Sequence, residues 1–239
     1  MEITSWIKSP VESILDVGCN VGAWLSYCSQ LYPYAQLAGI EINQSAIAVA
    51  KRNVPTADLH FASAERIPFS NESFNIVTCL EVLEHLPANL RSLAFQEMHR
   101  VLRPSGRLIL TVPHAGWFAW LDSNNVRLLL PGLYSLLIQK GMRDGNYINM
   151  GREVEWHKHF TKSELIQVAG KGWNVLDVSY GGLFLAPLMD WLSYPFYRIG
   201  LSDHPVRQMF GRIAALEYRQ GFGSASYGIM LVMEKASLE

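Results

Sequence analysis

The stretch from Ile14 to Gly22, I-L-D-V-G-C-N-V-G, constrains this chain more than any other. An apolar strand runs into a glycine-bearing turn, and the turn opens a helix. Nineteen residues after Gly22 a second apolar run, L-A-G-I, ends on Glu41. Gly18 and Gly22 carry no Cβ, so the backbone there can come close to a ligand. The helix that follows turns its unpaired N–H groups toward any carboxylate or phosphate. Glu41 can accept hydrogen bonds from both hydroxyls of a ribose, as the acidic residue at the end of the second strand does in dinucleotide-binding units. A tight strand–helix turn followed by a surface glutamate would show the same glycine spacing, so the motif needs support from the rest of the chain.

That support lies downstream. The turn is not the dinucleotide fingerprint G-x-G-x-x-G, because Asn20 fills the middle slot and Asp16 precedes the first glycine by two residues. The pattern D-x-G-x-[GN]-x-G resembles motif I of the class I S-adenosylmethionine-dependent methyltransferases. Three further blocks follow in that family's order: A-S-A-E-R-I-P-F at 62–69, S-F-N-I-V-T-C-L-E-V-L-E-H-L at 73–86 and R-V-L-R-P-S-G-R-L-I-L-T-V-P at 100–113. The likeness is dense over 11–113 and weak over 155–181, and is nearest the methyltransferase type 11 and ubiquinone-biosynthesis groups. It implies that Asp16, Gly18, Asn20 and Gly22 surround the methionine end of S-adenosyl-L-methionine. It also implies that Glu41 holds the ribose, with Ile42 near the adenine, and that S-adenosyl-L-homocysteine is the product. Ser63, Ala64 and Glu65 stand where the family meets the adenine edge; Ser63 departs from the aspartate common there, and its hydroxyl accepts less strongly than a carboxylate. Leu80 would lie beneath the sulfonium or the adenosine, although a pure core role fits it equally.

Composition sets the frame. The 239 residues are 49% hydrophobic and 17% charged with a formal net charge of −1, which suits a single α/β domain over 1–239 with a substantial core. Near-neutral charge gives no electrostatic footprint for nucleic acid, so none is expected as a partner. Cys19, Cys28 and Cys79 lack metal spacing and cannot all pair; buried free thiols and a reducing, cytoplasmic setting are expected. The N-terminus lacks a basic start and an apolar core of the secretory type. The apolar stretches Leu128–Ile138 and Gly181–Gly200 are respectively too short and too interrupted for a membrane span. Peripheral contact with a membrane surface stays open, and the oligomeric state is undetermined.

Apolar periodicity and helix breakers give alternating strands and helices, the pattern of a doubly wound, mostly parallel sheet covered on both faces. Strands are expected at 13–18, 36–41, 57–61, 74–80, 107–113, 173–180 and 225–235. Helices are expected at 22–31, at 44–52 with Asn43 as N-cap, and at 88–101, stopped by Pro104 and Gly106. Thr161-x-x-Glu164 reads as a capping box opening a helix to about 170. Two aromatic-rich insertions, about 114–155 and 181–224, interrupt the alternation. They are candidates for a helical lid or substrate-binding cap, because ligands of such sheets bind outside the carboxyl ends of the strands.

Transfer of a methyl group to a hydroxyl profits from a base. His85 follows the fourth strand, His114 follows the fifth, and His157 stands in E-V-E-W-H-K-H-F just before Thr161. These three are the candidate catalytic residues; His60 and His99 read as structural, and His204 as part of a turn. The E-x-x-E-H spacing resembles the metal-holding set of ubiquinone-biosynthesis O-methyltransferases and small-RNA 2′-O-methyltransferases. If 81–85 makes a helical turn, Glu81, Glu84 and His85 share a face and could take a divalent cation. That reading is not favoured, since no fourth ligand is identifiable, and no metal is assigned. The sequence thus points to methyl transfer to a small-molecule acceptor at oxygen, a quinol, polyketide, lipid or sugar-type metabolite. A non-catalytic cofactor-binding subunit and, further off, an NAD(P)-dependent oxidoreductase remain alternatives.

Overall fold

The computed structural model describes residues 2–7, 10–122, 157–198, 200–201 and 204–236. The apolar stretch Leu128–Ile138 and most of the first expected insertion therefore lie outside the described residues. The chain divides into two compact units, one formed by 2–112, 161–178 and 230–239, the other by 113–160 and 179–229.

The first unit is built on strands β1 (Ser13–Val17), β2 (Gln36–Glu41), β3 (Asp58–Phe61), β4 (Phe74–Leu80), β5 (Leu102–Pro113), β6 (Trp173–Gly181) and β7 (Gly228–Lys235). They form one seven-stranded sheet in the order β3-β2-β1-β4-β5-β7-β6. The pairs β1–β2, β2–β3, β1–β4 and β4–β5 are all parallel. β1 is buried over its whole length, as a central parallel strand must be when both faces are covered. Chain order reverses between β1 and β4, and that switch point opens the crevice in which ligands of such sheets bind. The loops after β1, β2 and β4 therefore decide what this unit can hold.

The helices of the sheet unit are α1 (Ala23–Leu31), α2 (Gln44–Asn53), α3 (Ala88–Val101) and α4 (Lys162–Ala169). Two of them, α2 and α4, begin on a side-chain cap. The Asn43 side chain accepts from the N–H groups of Ser45 (3.0 Å) and Ala46 (3.2 Å). At α4 the Thr161 hydroxyl accepts from the Glu164 N–H, and the Glu164 carboxylate accepts from the Thr161 N–H at 2.8 Å, a complete capping box. Leu25 and Cys28 of α1 and Ala94, Phe95 and Met98 of α3 are fully enclosed, with Ile14, Leu15 and Val77 of the sheet in the same core.

β7 begins at Gly228, later than the expected 225, and a larger difference lies at β5. β5 begins at Leu102, directly after α3, instead of at 107. Leu102 pairs with Phe74 and Arg107 with Ile76, with an irregularity between the two positions. Pro104, which has no N–H, and Gly106 are accommodated inside the strand by that bulge.

In the second unit, α5 (Leu185–Arg198) and α6 (Pro205–Tyr218) pack against each other. His204 is the N-cap of α6 rather than a plain turn residue: its ring nitrogen accepts from the Val206 N–H at 3.2 Å, with Pro205 in the first helical position. No helix among the described residues is long and apolar enough to cross a membrane.

Candidate functional site

The glycine turn is tied to the end of β2. The N–H groups of Gly18 and Cys19 both donate to the Ile40 carbonyl, at 2.8 and 2.9 Å. Gly18 (φ +79°), Asn20 (φ +46°) and Gly22 (φ +79°) all adopt the left-handed region. At Gly18 a Cβ would also come within 2.3 Å of the Val82 side chain, so only glycine fits. Asn20 tolerates the region better than most side chains do.

Glu41 closes the arrangement. Its Oε2 accepts from the Asn20 N–H at 2.9 Å and its Oε1 from the Asn43 N–H at 2.8 Å. An ionised carboxylate has about four acceptor positions, so two remain for a diol. The Glu41 backbone carbonyl accepts from the Ala62 N–H at 3.1 Å, which brings the loop after β3 alongside. In that loop Ala64 is buried while Ser63 and Glu65 are half-buried. The loop is held from behind by α3. Glu97 accepts from the Ile67 N–H (2.8 Å), and the Arg100 guanidinium donates to the carbonyls of Ile67 (2.8 Å) and Phe69 (2.7 Å).

Asp16 lies deeper than a ligand-facing acid ordinarily would. It is buried in β1, and its Oδ1 accepts from the Thr78 hydroxyl at 2.7 Å. That hydroxyl in turn accepts from the Trp24 indole N–H at 3.1 Å. Burial raises the Asp16 carboxyl to about 7; the Thr78 hydrogen bond works against the rise and the nearby Glu41 adds to it. The same surroundings push the Cys19 and Cys28 thiols up to about 12, burial being the largest cause, and Cys79 well above its ordinary value. All three cysteines are buried and free.

Leu80 is half-buried at the end of β4, and Ile42 is likewise half-buried after β2. Beyond Leu80 the expected helical turn over 81–85 is shorter than anticipated. The 3-10 turn spans Leu83–His85, and Glu81 lies outside it at φ +55°, exposed, with its N–H donating to the Thr111 carbonyl at 3.0 Å. Glu84 is buried, whereas the His85 ring is exposed, 3.8 Å from the Glu84 carboxylate. Glu81 joins no group of three close donors among the described residues, so the set Glu81, Glu84, His85 does not assemble.

The other two candidate histidines belong to the second unit. His114 Nδ1 is 2.9 Å from the Ser226 carbonyl, and the ring sits edge-on to Tyr180. A carbonyl only accepts, so Nδ1 carries the proton and the lone pair of the neutral ring is on Nε2. His157 Nδ1 donates to Asp122 Oδ2, and His159 Nε2 is 3.3 Å from the same oxygen. All three are buried, and burial lowers the His159 imidazole to about 4 although the Asp122 charge acts to raise it. Sequence reasoning missed Asp122, Thr78 and Trp24. Asp122 stands 35 positions from His157, and no local pattern links them.

Residues 15–110 match the methyltransferase domain family. The chain is 36% identical over 100 residues to the phthiotriol/phenolphthiotriol dimycocerosates methyltransferase 1 of Mycobacterium ulcerans, covering 41% of this chain and 36% of that protein. It is 35% identical over 105 residues to an O-methyltransferase of Penicillium expansum, covering 41% of this chain and 37% of that one. The chain thus matches little more than a third of these relatives' own length. The TehB-like SAM-dependent methyltransferase of Corynebacterium glutamicum superposes with a TM-score of 0.55 at 15% identity, over 97% of this chain and 84% of that one. Residues 15–110 are thus similar to the methyltransferase domain family, and the seven-stranded sheet has the fold of the solved methyltransferase on which it superposes. The match ends inside β5, so residues 113–160 and 179–229 lie beyond it.

Proposed function

We propose that this protein transfers the methyl group of S-adenosyl-L-methionine to a hydroxyl of an apolar or ring-bearing small molecule, releasing S-adenosyl-L-homocysteine. The observation that carries the reading is the double-anchored Glu41 carboxylate beside the left-handed glycine turn, in a segment that matches the methyltransferase domain family. The cofactor brings its own electrophile, a methyl group on a sulfonium, so the protein's work is binding, orientation and exclusion of water.

Glu41 offers its two spare acceptor positions to the ribose diol. The glycine turn is assigned to the amino-acid end, with Gly18 and Gly22 supplying its left-handed backbone, and Asp16, buried on the Thr78 hydroxyl, lies in the strand that leads into it. Ile42, Leu80 and Ala64 supply apolar surface for the adenosine, and Ser63 and Glu65 its polar edge. Alignment of the reacting atoms lowers the barrier by roughly 7–11 kcal/mol.

Among His85, His114 and His157 the best base is His114, whose Nδ1 is fixed on a carbonyl so that Nε2 accepts the proton of the acceptor hydroxyl. Such a base contributes roughly 10²–10⁴-fold. His85 is exposed and His157 is committed to Asp122. The second unit, with its exposed Trp117, Trp120, Phe184 and Leu185, is the region assigned to the acceptor. The names of the relatives, a lipid-directed methyltransferase and an O-methyltransferase, support an apolar acceptor and oxygen as the methylated atom.

Labelled cofactor incubated with a panel of quinols, phenols and lipid alcohols tests this. Label transferred to oxygen of one class supports it; adenosylhomocysteine binding with no transfer to any acceptor, alone or with added extract, identifies a non-catalytic subunit instead. NADH binding in place of adenosylhomocysteine removes the methyltransferase reading altogether.

A further inference from the structure

Asp122, His157 and His159 bring one carboxylate oxygen and two imidazole nitrogens within 4.8 Å of one another, and all three residues are buried. We propose that this cluster is a binding site for a divalent transition metal of the zinc type. It does not depend on the proposed methyl transfer.

Three ionisable groups withdrawn from water are expensive unless something offsets the loss. Asp122 has no exposed surface, and His157 and His159 retain 8% and 7%. His159 Nε2 lies fully enclosed and makes no hydrogen bond, although Asp122 Oδ2 is 3.3 Å away.

The donors are also held in place by backbone pairing. Phe160, next to His159, donates its N–H to the Pro113 carbonyl at 2.9 Å and accepts from the Ala115 N–H at 3.0 Å. His157 and His159 stand two residues apart just ahead of that bridge. Asp122 is fixed at the end of the 3-10 turn Ala119–Leu121 by its N–H to the Ala119 carbonyl, and the Trp191 indole holds the Leu121 carbonyl. The Tyr227 ring flanks His159 at 5.9 Å between centroids.

Two imidazoles and one carboxylate suit Zn²⁺, Fe²⁺ or Co²⁺, whereas Mg²⁺ and Ca²⁺ prefer all-oxygen shells. Ligands about 2.0–2.1 Å from a tetrahedral zinc stand at spacings within the observed limit. The cation would replace the proton now shared between His157 Nδ1 and Asp122 Oδ2, and that proton would be released to solvent. Three protein ligands leave a fourth position for water or a ligand atom.

The test uses the untagged full chain, stripped with a chelator and equilibrated with zinc chloride, with metal content read by mass spectrometry. About one zinc per folded chain is expected. The wild type should rise in Tm with Zn²⁺ and not with Mg²⁺, and Co²⁺ should give a visible ligand-field band. His159→Gln and Asp122→Asn should weaken binding roughly 10-fold or more, while His60→Gln leaves it unchanged. If either cluster variant does not fold, the wild-type uptake, Tm shift and cobalt band decide alone. Folded wild type that takes up no zinc, or a folded His159→Gln that retains full uptake, overturns the site; neither result touches the proposed methyl transfer.

Discussion

The Glu41 carboxylate accepts the Asn20 N–H at 2.9 Å, so the acid that ends the second strand also braces the turn that ends the first. The second oxygen does the same for Asn43, which in turn caps α2. One side chain thereby sets the spacing between the loop assigned to the amino-acid tail and the loop assigned to the adenosine. Replacing it removes more than a ribose ligand.

Gly18→Ala is expected to lower stability by about 1–2 kcal/mol from the left-handed backbone alone, with a further loss from the clash with Val82. Urea unfolding checks it. Val82→Ala in the same chain should recover part of the loss, since it removes the colliding methyl groups.

Asp16 gives the fold a defined pH response. Its folded pKa is raised from 3.8 to about 7, so the folded state holds a proton that the unfolded state has already given up between those values. Its stabilising contribution is complete below about pH 4 and is lost as pH rises through about 7. Asp16→Asn should flatten the fall in Tm across that window. An unchanged profile would mean that Asp16 is ionised in the fold.

Glu217 works in the opposite sense. Its carboxylate accepts four N–H groups ahead of and within the first turn of α5: Leu183 (2.9 Å), Phe184 (3.2 Å), Leu185 (3.0 Å) and Ala186 (2.8 Å). Burial acts to raise its pKa, but the four donors prevail and it lies below the ordinary glutamate value of 4.5. That stabilisation is present above the unfolded pKa and disappears as pH falls through the lower folded one. Glu217→Gln should lower Tm at neutral pH and lose the acid-dependent part of the curve.

His114→Ala should reduce turnover roughly 10²–10⁴-fold on an oxygen acceptor while leaving adenosylhomocysteine affinity unchanged. His85→Ala should retain most of the rate. Equal rates in all single variants of His85, His114 and His157 would assign deprotonation to the solvent or to the substrate.

The sheet was legible because parallel strands buried on both faces read as apolar runs, and because Asn43 and the Thr161–Glu164 pair announce their helices. β4 and α3 fall at 74–80 and 88–101, where periodicity puts them. β5 was misjudged because Pro104 and Gly106 normally end elements, and only its register with β4 reveals that a bulge carries them. The glycine turn and Glu41 were visible as local patterns. The Trp24–Thr78–Asp16 relay and the Asp122 cluster were not, since they join residues far apart in sequence that only the folded chain brings together.

Isothermal titration of the purified chain with S-adenosylhomocysteine is the most direct test of the central claim, with Glu41→Gln measured in parallel. The account predicts saturable binding at one site per chain by the wild type. It also predicts affinity at least about tenfold lower in the variant, the consequence of losing charge-assisted bonds to the diol and the brace on Asn20. No binding by the folded wild type, or equal affinity in the two proteins, would contradict it.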